Sequence, residues 1–211
     1  MTTPTVHREV ERKLRVPAQF AFPDLVSSGV ITSWTPGDPF EMTAVYYDTP
    51  ELRLFRWRIT LRRRVGGDDA GWHLKLPVAK ADESSRDEVT LPLDAGAPGV
   101  VPATLADIVS PLVRDAQLLP VVTVTTVRTP YRVSDSNGTS VIEIVDDQVV
   151  VSETANQTTT SFREIEVEAL DAEDQGALAL MDKIANAFIS AGAVPGSTSK
   201  AASALGARAT S

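Results

Sequence analysis

The chain contains no cysteine. Disulfides, thiolate metal sites and a cysteine nucleophile are therefore excluded. Histidine is almost as scarce, with only His7 and His73 among 211 residues. That is too little for a His-rich metal site and a poor basis for a Ser-His-Asp arrangement. No apolar run approaches the ~18 residues of a membrane-spanning helix. Met1 to Pro17 carries six charged side chains and no apolar signal-peptide core, so the chain reads as cytoplasmic. Positive charge is in deficit: 20 Lys and Arg face 28 Asp and Glu, for a net charge of -8. A field of that sign repels phosphate at long range, which argues against binding to DNA or an anionic membrane by bulk charge. It leaves a local basic site open.

What is present suits an ordinary globule, with 43% hydrophobic residues and a mean hydropathy of -0.04. No Ser/Gly linker, repeat or low-complexity tract divides the chain, so residues 1–211 are expected to form a single domain. The dominant pattern is alternation with a period of two, the signature of antiparallel β-structure. Eight runs carry it: 7–16, 42–47, 58–65, 71–76, 86–91, 121–133, 139–151 and 161–169. Gly66-Gly67-Asp68-Asp69 supplies turn chemistry between the third and fourth runs, and Ser136-Asn137-Gly138 between the sixth and seventh. Helices are the minority. A short one is expected at Gln19–Ser27, and two pieces within Thr104–Leu119, broken at Ser110-Pro111 with Ser110 as N-cap. The clearest is Asp171–Ala191, where Ala177, Met181, Ile184 and Phe188 form one stripe ending before Gly192. A last short helix follows Ser199.

Alternation gives each strand a charged and an apolar face. His7, Glu9, Glu11, Lys13 and Arg15 share one face of the first run. Arg62 and Arg64 lie opposite Ile59 and Leu61; His73 and Lys75 opposite Trp72, Leu74 and Leu76; Arg86 and Glu88 opposite Val89 and Leu91. Glu143 and Asp147 lie opposite Ile142 and Ile144, and Glu164, Glu166 and Glu168 opposite Ile165 and Val167. A wet outer face would explain charge alone. It does not explain three consecutive carboxylates only ~6.6 Å apart along one strand, nor the segregation of signs. Carboxylates dominate the first and last strands, whereas Arg62, Arg64, Lys75 and Arg86 fill the middle ones. Such a chain can close into a barrel with a charged lumen and an apolar exterior covered by helices. Buried like charges need neutralising partners from outside. Hard oxygen donors without His or Cys favour Mg²⁺ or Mn²⁺, and the basic walls suit a polyanion. Together these point to a metal-bound phosphate compound.

At these residues the chain resembles the CYTH family, the triphosphate tunnel metalloenzymes. Glu9-Val10-Glu11-Arg12-Lys13 resembles the family's ExExK signature, Tyr46-Tyr47-Asp48-Thr49 its YYDT segment, and Leu61-Arg62-Arg63-Arg64 its LRxR strand. Trp72-His73-Leu74-Lys75 and Arg86-Asp87-Glu88 are similar to its next two strands. Arg128, Glu143 with Asp147, the run Glu164 to Glu168, Ser199-Lys200 and Ala204-Leu205 follow in order, so the likeness spans residues 6 to 206.

The resemblance implies a mainly β fold, a closed antiparallel eight-stranded barrel forming a tunnel, with a few packed helices. It implies Glu9, Glu11, Glu164, Glu166 and Glu168, with Asp147, as metal ligands for Mg²⁺ or Mn²⁺. It implies Lys13, Arg62, Arg64, Lys75, Arg86, Arg128 and Lys200 as a phosphate clamp, with Glu9, Glu11, Lys13 and Glu166 as the catalytic group. Glu88, Glu143 and Asp147 resemble acidic positions that orient the bases or hold a second metal or water. Thr126 stands where the family often has a base, and Arg132 could substitute. His73 reads as a hydrogen-bonded structural residue, Tyr46 and Tyr47 as packing residues, Asp48 as a turn or cap. Trp34, Trp57 and Trp72 read as covers of the barrel exterior, and Asp182 and Lys183 as solvent-facing. The implied activity is metal-dependent hydrolysis of a triphosphate or polyphosphate. Inorganic triphosphate comes first because no base-specific pocket is evident. Alternatives are a non-catalytic polyphosphate- or nucleotide-binding module, adenylyl cyclase and thiamine triphosphatase. Bacterial members are often fused to a C-terminal CHAD domain, a helical module associated with polyphosphate binding. The chain is expected to be either a free-standing enzyme or the CYTH part of such a protein.

Overall fold

Strands that are apolar on one face and charged on the other need one side buried, and here eight of them achieve it by closing on one another. A computed structural model describes residues 3–78, 85–153, 158–196 and 199–205. Its strands are β1 (Thr5–Val16), β2 (Trp34–Pro36), β3 (Phe40–Asp48), β4 (Thr60–Val65), β5 (Gly71–Pro77), β6 (Ser85–Pro92), β7 (Leu119–Ser134), β8 (Ser140–Glu153), β9 (Thr159–Ala169) and β10 (Val194–Gly196). Its helices are α1 (Arg53–Arg56), α2 (Ala103–Val113), α3 (Gln175–Ser190) and α4 (Lys200–Leu205). The sheet runs β1-β6-β5-β4-β3-β7-β8-β9 and returns to β1, antiparallel throughout. β1 closes the ring by changing partner at Val10: residues 5–10 pair with β6 and residues 10–16 with β9. Short β2 and β10 add to the outer edges of β7 and β1.

The apolar faces point outward and are roofed. α3 lays Met181, Ile184 and Phe188 on Leu14, Ile144, Ile165 and Val167. α2 lays Leu105 and Val109 over Leu61, Trp72, Leu74 and Val89. A third cluster lies on the lumen side at one end, where Ala44, Tyr46, Val122, Val124, Val149 and Val151 meet Leu52 and Ala201 of α4. One end of the barrel interior is thus apolar and the rest charged. No helix among the described residues is long and apolar enough to cross a membrane.

Some local expectations need correction. Gln19–Ser27 is not a helix. Asp24 organises only one turn there, accepting the Ser27 amide at 2.9 Å, and Gly29 (φ 72°) ends it; Pro23 at its start limits propagation. Thr104–Leu119 is not two pieces but the single helix α2, which runs through Pro111. Proline removes the donor that would satisfy the Asp107 carbonyl, and the Ser110 hydroxyl donates to that oxygen instead at 2.8 Å. Ser110 is therefore a mid-helix repair rather than an N-cap. The third helix starts later than expected, with Asp174 capping through the Gly176 and Ala177 amides. Trp57 covers nothing expected of it and is 63% exposed. Trp72 and Trp34 do cover the exterior, under α2 and against Tyr131 respectively. Gly66 is required where it stands: its φ is +83°, and a Cβ would lie 2.4 Å from the Glu41 carbonyl.

Phe188 is fully buried and meets Phe22 edge-on. Phe188→Ala should cost about 3–5 kcal/mol, whereas Trp57→Ala should stay within about 0.5 kcal/mol; urea unfolding of the two variants checks both.

Candidate active site

Alternation along eight strands delivers the charged faces to one cavity of about 470 Å³. β1 contributes His7, Glu9, Glu11 and Lys13; β4 Arg62 and Arg64; β5 His73 and Lys75; β6 Arg86 and Glu88. β7 contributes Thr126 and Arg128, and β9 Glu166 and Glu168. Lys200 enters from α4 rather than from the wall, its helix capped by Ser199 accepting the Ala202 amide at 3.1 Å. Asp147 and Glu164 are buried behind these side chains, in contact with Lys200.

The buried charges are sorted into ion pairs. Lys75 meets both oxygens of Glu9 at 2.6 and 2.5 Å. Lys13 bridges Glu11 (2.8 Å) and Glu166. Lys200 sits among Asp147, Glu164 and Glu166 at 2.9, 2.6 and 2.8 Å. Arg128 holds Asp147 bidentately at 2.8 and 2.6 Å and reaches Glu166 at 2.9 Å. Burial raises the Glu166 and Asp147 carboxyls, but these cations override it: Glu166 ends well below the ordinary range, and Asp147 below it. Glu9 is likewise lowered, because Lys75 outweighs burial.

On two walls groups of like sign crowd together and the network satisfies them only in part. On the acidic side, burial and the neighbouring Glu9 and Glu11 push the Glu168 carboxyl up to about 8. Burial also leaves Glu11 raised, despite Lys13. These side chains stand in register on adjacent strands, Glu11 opposite Glu168 across β1 and β9, and Glu168 opposite Glu143 across β9 and β8. On the basic side, burial and then Arg62 and Arg128 pull the Arg64 guanidinium down to about 9. The Nε–H groups of Arg62 and Arg64 are buried without an acceptor among the described residues.

Among the described residues Asp147, Glu164 and Glu166 form a carboxylate trio whose ligand atoms lie within 4.8 Å of one another. Geometry alone would put a cation there, yet Lys200 already occupies the middle of it. Glu11 and Glu168 are the carboxyls left raised, so a divalent ion beside them would relieve like-charge repulsion. Oxygen donors of this kind fit Mg²⁺ or Mn²⁺.

Other candidates lie at the margins. Arg86 lines the cavity but donates to the Arg58 carbonyl at 2.7 Å. Arg132 pairs with Glu143 at 2.8 Å and is half exposed. Asp182 is not merely solvent-facing, since it ties α3 to β1 through Arg12 at 2.9 Å. Asp48 is the organiser of the turn after β3: its two oxygens accept the amides of Thr49, Leu54 and Phe55. Glu88 is surrounded by His73 at 3.0 Å, His7 at 3.1 Å and, at 3.9 Å, Arg62 and Lys75. Both of its oxygens are thus turned toward basic side chains.

Two contacts in the lumen lie outside the sequence reading. Tyr46 is in the lumen, where Arg62 donates to its hydroxyl at 3.3 Å; Met42 and Ala44 share its parity, a signal hidden by the apolar character of both faces of β3. Asp69, in the Gly66–Asp69 turn, closes on Arg64, a contact that no strand periodicity could reveal.

The CYTH domain model matches residues 7–190. The chain belongs to the CYTH domain family. Uncharacterized proteins from two Mycobacterium tuberculosis strains are 35% identical over 215 residues, covering 97% of this chain and 41% of theirs. The chain therefore spans about two fifths of the length of these relatives. Among solved structures, a candidate adenylate cyclase from Bacillus halodurans superposes with a TM-score of 0.60 at 21% identity, covering 95% of this chain and 98% of its own. A Hippeastrum protein, a candidate adenylyl cyclase described as having a dominant triphosphatase activity, gives 0.52 at 20% identity over 92% and 93%. At these identities the likeness establishes the CYTH barrel fold.

Because Glu168 holds its proton to about 8, binding of Mg²⁺ or Mn²⁺ at pH 7 should release a proton. Calorimetry in buffers of different ionisation enthalpy measures it. The sign for stability follows. A carboxyl raised in the folded state stabilises the fold below its unfolded value near 4.3, and that contribution is lost as pH rises through 8. Glu168→Gln should therefore stabilise the metal-free protein by at least about 1 kcal/mol at pH 9 and remove the proton release.

Proposed function

We propose that this CYTH barrel is a divalent-metal-dependent phosphohydrolase that cleaves a triphosphate, with inorganic triphosphate as substrate and Mg²⁺ or Mn²⁺ as its ion. The observation that carries the reading is complementary charge in the lumen: the buried Nε–H groups of Arg62 and Arg64, without an acceptor among the described residues, and the Glu11 and Glu168 carboxyls, raised by burial and by neighbouring carboxylates. A metal–triphosphate complex supplies both missing partners at once. The CYTH assignment and the triphosphatase activity named for the Hippeastrum relative support the same chemistry.

Arg62, Arg64, Arg86 and Arg128 would grip non-bridging oxygens through paired N–H groups, and Lys13, Lys75 and Lys200 as point charges. Glu9, Glu11 and Glu168 would hold the ion. As phosphate oxygens draw Lys13 and Lys200 away, Glu164, Glu166 and Asp147 would become available to join them. A bound Mg²⁺ or Mn²⁺ supplies Lewis-acid neutralisation of the charge that develops on the phosphoryl oxygens. Water attacks the terminal phosphorus, the bridging P–O bond breaks, and phosphate and pyrophosphate leave. Such an enzyme belongs in the cytoplasm, and in longer relatives a polyphosphate-binding CHAD module would suit the same substrate.

Phosphate release from inorganic triphosphate should require Mg²⁺ or Mn²⁺ and fall by about 100-fold or more in Glu166→Gln. Triphosphate affinity in EDTA should hold or tighten in that variant, because Lys13 and Lys200 lose a competing carboxylate. Tight binding with no turnover under any metal would make the barrel a binding module. Cyclic AMP and pyrophosphate from ATP would make it a cyclase.

A further inference from the structure

We infer that His73 and Glu88 hold one proton between them in the resting lumen, and that this pair limits anion binding on the alkaline side. The inference rests on the reading of Arg62, Arg64 and Lys75 as an anion clamp, but its origin is geometric. His73 Nε2 lies 2.9 Å from the Asp69 backbone carbonyl, which can only accept. That nitrogen must therefore carry hydrogen. A neutral imidazole then has only a lone pair at Nδ1, and Nδ1 faces Glu88 Oε1 at 3.0 Å. With Glu88 ionised, two acceptors would meet. One additional proton turns the repulsive contact into a charge-assisted hydrogen bond. The ring, ordinarily the stronger base of the two, is where that proton belongs.

The contact has little room to relax, because His73 is 3% and Glu88 6% exposed. Gly71 closes the space below, since a Cβ there would lie 2.6 Å from the Leu91 carbonyl and 3.8 Å from His73 Nε2. The charged groups around the pair are Arg62 and Arg64 from β4, Lys75 from β5, His7 and Glu9 from β1, and Asp69 from the turn. Burial and the two arginines pull the imidazole down to about 4, against the pull of Glu88. The Asp69 carbonyl at Nε2 is a second acceptor beside Glu88 at Nδ1, and this two-sided geometry is what holds a hydrogen on both ring nitrogens. An anion on Arg62, Arg64 and Lys75 would cancel the positive field that weakens this proton, so anion and proton bind together. Triphosphate affinity should accordingly fall as pH rises through the loss of the proton.

With only two histidines, ¹⁵N-labelled imidazoles give two readable spin systems, assigned with His7→Gln. At pH 7, without metal, both His73 nitrogens should show protonated-type shifts, and inorganic triphosphate in EDTA should move the loss of the Nδ1 proton to higher pH by about one unit or more. Glu168 titrates nearby, so triphosphate affinity is compared between wild type and His73→Gln, which keeps an N–H for Glu88 but cannot titrate. The wild-type curve should fall more steeply, by up to about tenfold per pH unit. A bare, pyridine-type Nδ1 at pH 7, or superimposable affinity curves, would overturn the pair. Neither readout involves turnover: a protonated ring without phosphate release would sink the hydrolase and leave the pair standing.

Discussion

Lysine against carboxylate inside a closed barrel is the interaction on which the rest of the structure depends. Lys13, Lys75 and Lys200 each rest on one or more glutamates or aspartates within 3 Å. Removing so many charges from water is costly, and pairing only partly offsets it. The strands must therefore be held rigidly enough to keep each pair in place. That rigidity comes from outside the lumen, where α3 and α2 cover the apolar faces of β1, β8 and β9 and of β4 to β6. The exterior core stabilises a scaffold whose interior, taken alone, is a liability.

Under the proposed function, the same pairs favour two ligands of opposite sign over either one alone. A polyanion alone would have to pull lysines from Glu9, Glu11 and Glu166, stranding those carboxylates. A cation alone would compete with lysines already in place. Together, each ligand would receive the partner that the other displaces, a coupling free energy in the ordinary sense of linkage. Lys200 extends this coupling beyond the wall. It rides on α4, next to Ala201, which is buried in the apolar end of the barrel. The seating of that helix and the charge state of Asp147 and Glu166 therefore depend on one another.

How much of this was legible in the sequence follows from what alternation can carry. All eight barrel strands appear as period-two runs, with ends within about three residues of those observed, because one face had to be apolar and the other not. The lumen was legible through sign: Glu164, Glu166 and Glu168 on one strand and Arg62 and Arg64 on another were too segregated for a solvated face. Where a strand is apolar on both sides alternation says less: Tyr46 on β3 packs as expected, with Ala44 and Val124, but the contact of its hydroxyl with Arg62 carries no signal in the pattern. Contacts made by turns were invisible, as with Asp69 on Arg64. Pro111 is a different case: by its sequence a helix break, it is carried within α2 because the adjacent Ser110 hydroxyl satisfies the carbonyl that proline leaves without a donor.

The apolar end of the lumen gives the charged end its strength. Val122, Val124, Val149 and Val151 with Leu52 and Ala201 fill the interior beyond Tyr46, so the network ends against hydrocarbon there. Charges beside such a wall act through a lower effective dielectric, which strengthens every pair and raises the cost of every unpaired group. Buried Tyr46 reports that field. Its burial alone would raise the phenol, yet Arg62 at its hydroxyl, with Lys200 and Lys75 beyond, brings it below the ordinary value. A phenol held in this way is a fixed dipole at the boundary between the two halves. It caps the arginine wall where hydrocarbon begins, so that Arg62 has a polar partner without another carboxylate to compete for its charge.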